Sequence, residues 1–110
     1  MIDVDVHIYL ASKTRWAHLH KSVPLAAVPR VGERLKLRND EMGDYFGWRV
    51  AEVTYRENGP VEVMTDLLDD VEQRGYSFES EAEFDEYHQS YQACGWAGEI
   101  KPNTRYRTKN

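Results

Sequence analysis

The chain reads as an α+β domain, with about five antiparallel strands in a curved sheet or small open barrel of the SH3-like kind and an amphipathic helix near the C-terminus. Three observations predict this. Ile2, Val4, Val6, Ile8 and Leu10 alternate with Asp3, Asp5, His7 and Tyr9, the period of a half-buried strand. Glu57-Asn58-Gly59-Pro60 separates two apolar-alternating runs, and Asn-Gly tolerates the positive φ that a hairpin turn needs. Ser80 followed by Glu83 is a capping box opening a helical repeat of Phe84, Tyr87, Tyr91 and Cys94.

Taken in order, the first strand turns through Ala11-Ser12-Lys13-Thr14 and returns over Arg15 to Val23. The preferred register sets Leu10 against Arg15, Ile8 against Ala17, Val6 against Leu19 and Ile2 against Val23, apolar facing apolar on the core side. The other face then carries Tyr9 opposite Trp16, His7 opposite His18 and Asp5 opposite His20. Pro24 and Pro29 bracket an extended connector, Gly32 supplies a tight bend, and a third strand covers Glu33 to Leu37. Trp48 to Arg56 and Val61 to Leu68 form the hairpin, with Pro60 suited to the first residue of an edge strand. A bulge near Ala51-Glu52 would bring Trp48, Val50, Val53 and Tyr55 to one side. Asp66 to Gly75 is compatible with a helix or with a strand end and loop. Gly95 suits the end of the later helix, residues 1–100 make one domain, and 101–110 read as a mobile basic tail.

At 110 residues the chain can bury one core. No apolar run approaches the length of a transmembrane helix, and Asp3 and Asp5 interrupt any signal-peptide core. A lone Cys94 forms no intrachain disulfide and suits a reducing, cytoplasmic setting. The net charge of −5 is unevenly spread. Val61 to Gln92 holds ten acids against Arg74 alone, whereas Lys13 to Arg38 holds seven cations against Glu33. An acidic second half points to a basic partner or to a solvated face.

Val28-Pro29-Arg30-Val31-Gly32-Glu33, a bulged Val-rich hairpin and an acidic helix ending Ala93-Cys94-Gly95-Trp96 together resemble a recurring type of small bacterial, β-barrel-like protein. The resemblance covers the larger part of the chain. It implies the fold and carries over no active site.

Two features bear on chemistry. His18-x-His20 on a strand puts two imidazoles on one face, with His7 and Asp5 brought beside them by the register, a set that suits zinc. Nothing in the sequence fixes their geometry, so no cofactor is expected and the face is expected to be metal-free. Cys94 lies on the apolar helical stripe, away from His88, as an inert thiol does. There is no Gly-rich phosphate loop followed by a lysine, and no enzymatic signature.

The expected function is therefore binding: an inhibitor or immunity-type protein masking a basic surface on a toxin, a nuclease or a nucleic-acid-handling complex. Its surface would comprise Asp69, Asp70, Glu72, Glu81, Asp85 and Glu86 with Tyr76 and Phe78 interleaved, and Tyr45 and Phe46 as further anchors. Two alternatives are nucleic-acid binding through Arg30, Arg34, Lys36, Arg38 and the tail, and a metal-dependent enzyme at His7, His18 and His20. Net acidity weighs against the first of these, because phosphate contacts supply most of such affinity.

Overall fold

A computed structural model describes residues 1–37, 47–65, 78 and 80–103. Six strands form one open, mixed sheet: β1 (Ile2–Ala11), β2 (Arg15–Leu25), β3 (Arg34–Lys36), β4 (Gly47–Thr54), β5 (Val61–Thr65) and β6 (Ile100–Pro102). Their spatial order is β3-β4-β5-β1-β2-β6. Among the described residues one helix, α1 (Glu81–Ala93), lies between β5 and β6 in sequence. The fold is thus α+β with an open sheet, as expected, but the sheet is not wholly antiparallel, because β1 and β5 run parallel at its centre. This pairing also makes β5 an interior strand, so Pro60 precedes a central strand rather than an edge.

The first hairpin forms with a register two residues from the expected one. Ile2 faces Leu25, Val6 faces Lys21, Ile8 faces Leu19 and Leu10 faces Ala17. The cause is a tighter turn. Ser12 N–H donates to the Arg15 carbonyl at 2.8 Å, and Arg15 N–H donates to Ser12 Oγ at 3.0 Å, so only Lys13 and Thr14 remain in the loop. An even shift leaves every side chain on its own face. Val4, Val6, Ile8, Leu10, Ala17 and Leu19 are accordingly buried together.

The predicted bulge is present: Val50 pairs with Thr65 and Glu52 with Met64, which leaves Ala51 extra. It keeps Trp48 and Val50 in the core and Val53 half-buried, but Tyr55 lies beyond the strand end and is 71% exposed. Gly32 adopts φ +93° and donates its N–H to the Val50 carbonyl, which makes the expected bend. Residues 66–68, the expected continuation of β5, and the ambiguous stretch to Gly75 lie outside the described residues.

Ser80 caps α1, its Oγ accepting from Glu83 N–H, which is the Ser80 half of the expected capping box. At its other end Gly95, at φ +96°, donates to Gln92 and Trp96 donates to Tyr91, the two bonds of a Schellman motif. Phe84 and Tyr91 enter the core, where Trp48 Nε1 donates to Tyr91 Oη at 3.3 Å. His88 is buried beside them, stacked on Phe84, while Tyr87 and Cys94 sit at the core's margin.

Ordered structure continues past residue 100. β6 pairs Lys101 with Trp16 and Ile100 with Ala17 on the free edge of β2. Just before it, His20 and Ala97 exchange backbone hydrogen bonds. Gly98 permits this approach, since a Cβ there would stand 1.9 Å from the His18 carbonyl oxygen. Lys101 therefore belongs to the sheet rather than to a tail.

Candidate functional site

The sheet has two unlike faces. Helix α1 covers the face formed by Val4, Val6, Ile8, Leu10, Ala17, Leu19, Trp48, Val50 and Val63. No described element packs across the other. Strand alternation sends Asp5, His7 and Tyr9 of β1 to that polar face. The registers set Glu62 and Met64 of β5 on one side of them and Trp16, His18 and His20 of β2 on the other.

His7 is at the centre and is only 9% exposed. Its Nδ1 lies 2.6 Å from His18 Nε2, a hydrogen bond between two imidazoles, and its Nε2 lies 3.5 Å from Glu62 Oε2. Nε2 is buried and makes no hydrogen bond. Thr65 Oγ1 donates to the His7 carbonyl at 3.0 Å and fixes the strand beneath the ring. Asp5 pairs across the ladder with Glu62, and ligand atoms of Asp5, His7 and Glu62 all lie within 4.8 Å of one another. Arg56 forms an ion pair with Glu62 Oε2, the same oxygen that faces His7 Nε2. Burial, and then the neighbouring His7, His20 and Lys101, hold the His18 pKa below its ordinary value.

An aromatic row continues from the cluster. Tyr9 stacks on His18 with centroids 4.9 Å apart, Trp16 lies 6.5 Å beyond Tyr9, and Lys101 Nζ sits 5.7 Å from the Trp16 ring. The register shift changes the cross-strand partners. His7 now faces His20, and Tyr9 faces His18. Asp5 faces Ser22 rather than His20, and the acid it meets is Glu62. Glu62 was not legible as a member, because its place depends on the parallel β1–β5 pairing of segments far apart in sequence.

The second candidate is the acidic surface. Asp69, Asp70, Glu72, Tyr76, Tyr45 and Phe46 lie outside the described residues. Phe78 is buried and packs on Phe84 and Tyr87, so it is a core residue and not a surface anchor. Glu81 accepts hydrogen bonds from Ser12 at 2.9 Å, Thr14 at 2.7 Å and Arg15 at 3.1 Å. Arg15 also donates to Asp85 at 2.8 Å and lies over the Phe84 ring. Desolvation acts to raise the Glu81 pKa, but the hydrogen bonds from Thr14, Ser12 and Arg15 outweigh it and hold the pKa low. These two carboxylates tie the helix to the β1–β2 turn. Glu83 and Glu86 are exposed, and after burial they are the groups that raise the Tyr87 pKa.

On the basic stretch, Arg30 is exposed and pairs with Glu33 at 3.8 Å, Arg34 and Lys36 are exposed on β3, and Arg38 is outside the described residues. Cys94 is a half-buried free thiol whose carbonyl accepts from Lys21 Nζ. No described helix is long and apolar enough to cross a membrane. Comparison with protein-family models, curated proteins and solved structures returns no match.

Proposed function

We propose that the protein is a small binding protein that captures a basic protein partner through its acidic helix, in the manner of an inhibitor or immunity protein that masks the partner's charge. The observation that carries this reading is the charge of α1, most of it uncompensated among the described residues. The helix bears Glu81, Glu83, Asp85 and Glu86 and no Lys or Arg. Arg15 offsets only one of these charges, through Glu81 and Asp85. Glu83 and Glu86 are left to project a negative field with the Tyr87 ring beside them. Such a field speeds encounter with a basic surface, and an aromatic ring at its edge slows separation.

The test separates the two pairs of acids. Glu83→Lys with Glu86→Lys should leave folding intact and slow capture of a basic partner by an order of magnitude or more at low salt. The wild-type association rate should itself fall steeply as salt shortens the field to about 8 Å at physiological ionic strength. Partner and rates come from affinity capture on nuclease-treated extract followed by surface plasmon resonance. An unchanged association rate in the double variant would sink the reading. A partner that disappears with nuclease treatment would favour the basic strand β3 instead.

A further inference from the structure

We infer that Asp5, His7 and Glu62 form a binding site for a divalent transition-metal ion on the polar face of the sheet, with Zn2+ as the representative ion. This does not depend on the acidic-helix reading, since the site lies on another face and uses other residues.

Three observations converge on these side chains. The first is the buried Nε2 of His7, which makes no hydrogen bond although it lies among carboxylates. Its other nitrogen is engaged with His18 Nε2 at 2.6 Å. If His7 Nδ1–H is the donor, Nε2 presents a bare lone pair to Glu62, and oxygen and nitrogen lone pairs repel. If Nε2 instead carries the proton, it stands 3.5 Å from Glu62 Oε2 without hydrogen-bond geometry. A cation resolves the first arrangement, and a second partner on the far nitrogen is how metal-bound imidazoles are oriented.

The second observation is electrostatic. Asp5 and Glu62 are direct cross-strand neighbours, and like charges so placed destabilise a sheet. Arg56 pairs with Glu62 through the Oε2 that faces His7, so an ion there would share that oxygen with it, while the Asp5 carboxylate has no hydrogen-bond or ion-pair partner among the described residues. The cluster with Arg56 therefore keeps one net negative charge.

The third is geometric. An ion about 2.1 Å from both His7 Nε2 and Glu62 Oε2 would subtend roughly 110° across their 3.5 Å separation, close to tetrahedral. Asp5, within 4.8 Å of both, closes the third position with a small swing of a half-buried side chain. One imidazole and two carboxylates without a thiolate suit Zn2+, Mn2+ or Fe2+ rather than a soft ion such as Cu+.

The experiment uses the full chain, stripped with chelator and titrated with Zn2+ by calorimetry, with Co2+ absorption as a second readout. A single Zn2+ per chain and a visible Co2+ band of tetrahedral or five-coordinate intensity are expected. Asp5→Asn and Glu62→Gln should each weaken binding at least tenfold while circular dichroism and the urea midpoint show a folded protein. These two carry the test because His7→Ala, at a buried position, could lose the fold. Binding below one-tenth of an ion per chain overturns the site. So does Zn2+ affinity that survives both carboxylate variants but is lost in a His18→Ala, His20→Ala pair, which would put the ion on the histidines alone.

Discussion

The two faces of the sheet are built from the same strands, yet they solve opposite problems. On the covered face Val4, Val6, Ile8, Leu10, Ala17, Leu19 and Val63 are all fully buried, and α1 closes over them with Phe84 and Tyr91. Stability there comes from apolar area removed from water, which needs no specific partner for any one atom. One residue along each strand, the polar face holds imidazoles and carboxylates whose buried atoms each require a defined partner. Most find one: His7 Nδ1 has His18, and Glu62 has Arg56. His7 Nε2 does not. Buried ring nitrogens also go unanswered on the covered side, at His88 Nε2 and Trp96 Nε1, but His7 Nε2 alone of the three lies within 4.8 Å of ligand atoms of two carboxylates, and the difference teaches where to look for function: in the company an unanswered atom keeps.

The largest expected effect tests the covered face. Phe84→Ala should cost on the order of 3–5 kcal/mol, because a fully buried ring that packs on Phe78 and His88 and lies under Arg15 leaves a cavity. A shift near zero in the urea midpoint would mean that α1 does not seal the sheet. Next comes the edge that the faces share. Gly98→Ala should cost about 1–3 kcal/mol, since its Cβ meets the His18 backbone and the β2–β6 pairing must yield. Hydrogen exchange at His20 and Ala97 should rise well before exchange at β1.

The pH dependence carries the comparison into the core. Burial, the largest influence, holds His88 below its ordinary value of 6.5, against an opposing pull from Asp85. A depressed imidazole pKa means that the unfolded chain binds the proton more readily. The contribution of His88 is then fully present above about pH 6.5 and is lost as pH falls through the folded pKa. His88→Phe should flatten that part of the curve of stability against pH, and an unaltered slope would assign the dependence to other groups.

The smallest effect has the opposite sign. Asp5→Asn, measured in chelator, should stabilise the protein by roughly 0.2–1 kcal/mol by removing a like-charge cross-strand pair. A loss of stability would show that Asp5 already has a structural partner.

Much of the fold was legible wherever a local pattern suffices. The alternation of β1, the bulge at Ala51, the Gly32 bend and both ends of α1 each depend on residues close in sequence. The hairpin register was not, because registers two residues apart bury the same side chains, and only the Ser12 hydrogen bonds to Arg15 decide between them. The parallel β1–β5 pairing leaves no local trace, and with it went Glu62 and the mixed character of the sheet. β6 escaped notice because Ile100-Lys101-Pro102 is too short to alternate. His88 was misplaced for a chemical reason: a neutral imidazole stacked on Phe84 behaves as an apolar ring, though it counts as polar in any periodicity.

The clasp between β6 and β2 also sets an order of events. The β1–β2 ladder joins neighbouring segments through a two-residue loop, so it can form early and at low entropic cost. Its outer edge stays open until residues 96–103 arrive from the far side of the helix. Only then can Ala97 bond to His20 and Asn103 N–H reach the Thr14 carbonyl at the turn. During that interval the β2 edge is an exposed template for other strands, the state from which edge-to-edge aggregation starts. A chain slowed at this last step, by a side chain at Gly98 for example, would lose more in yield of folded protein than in the stability of those molecules that finish.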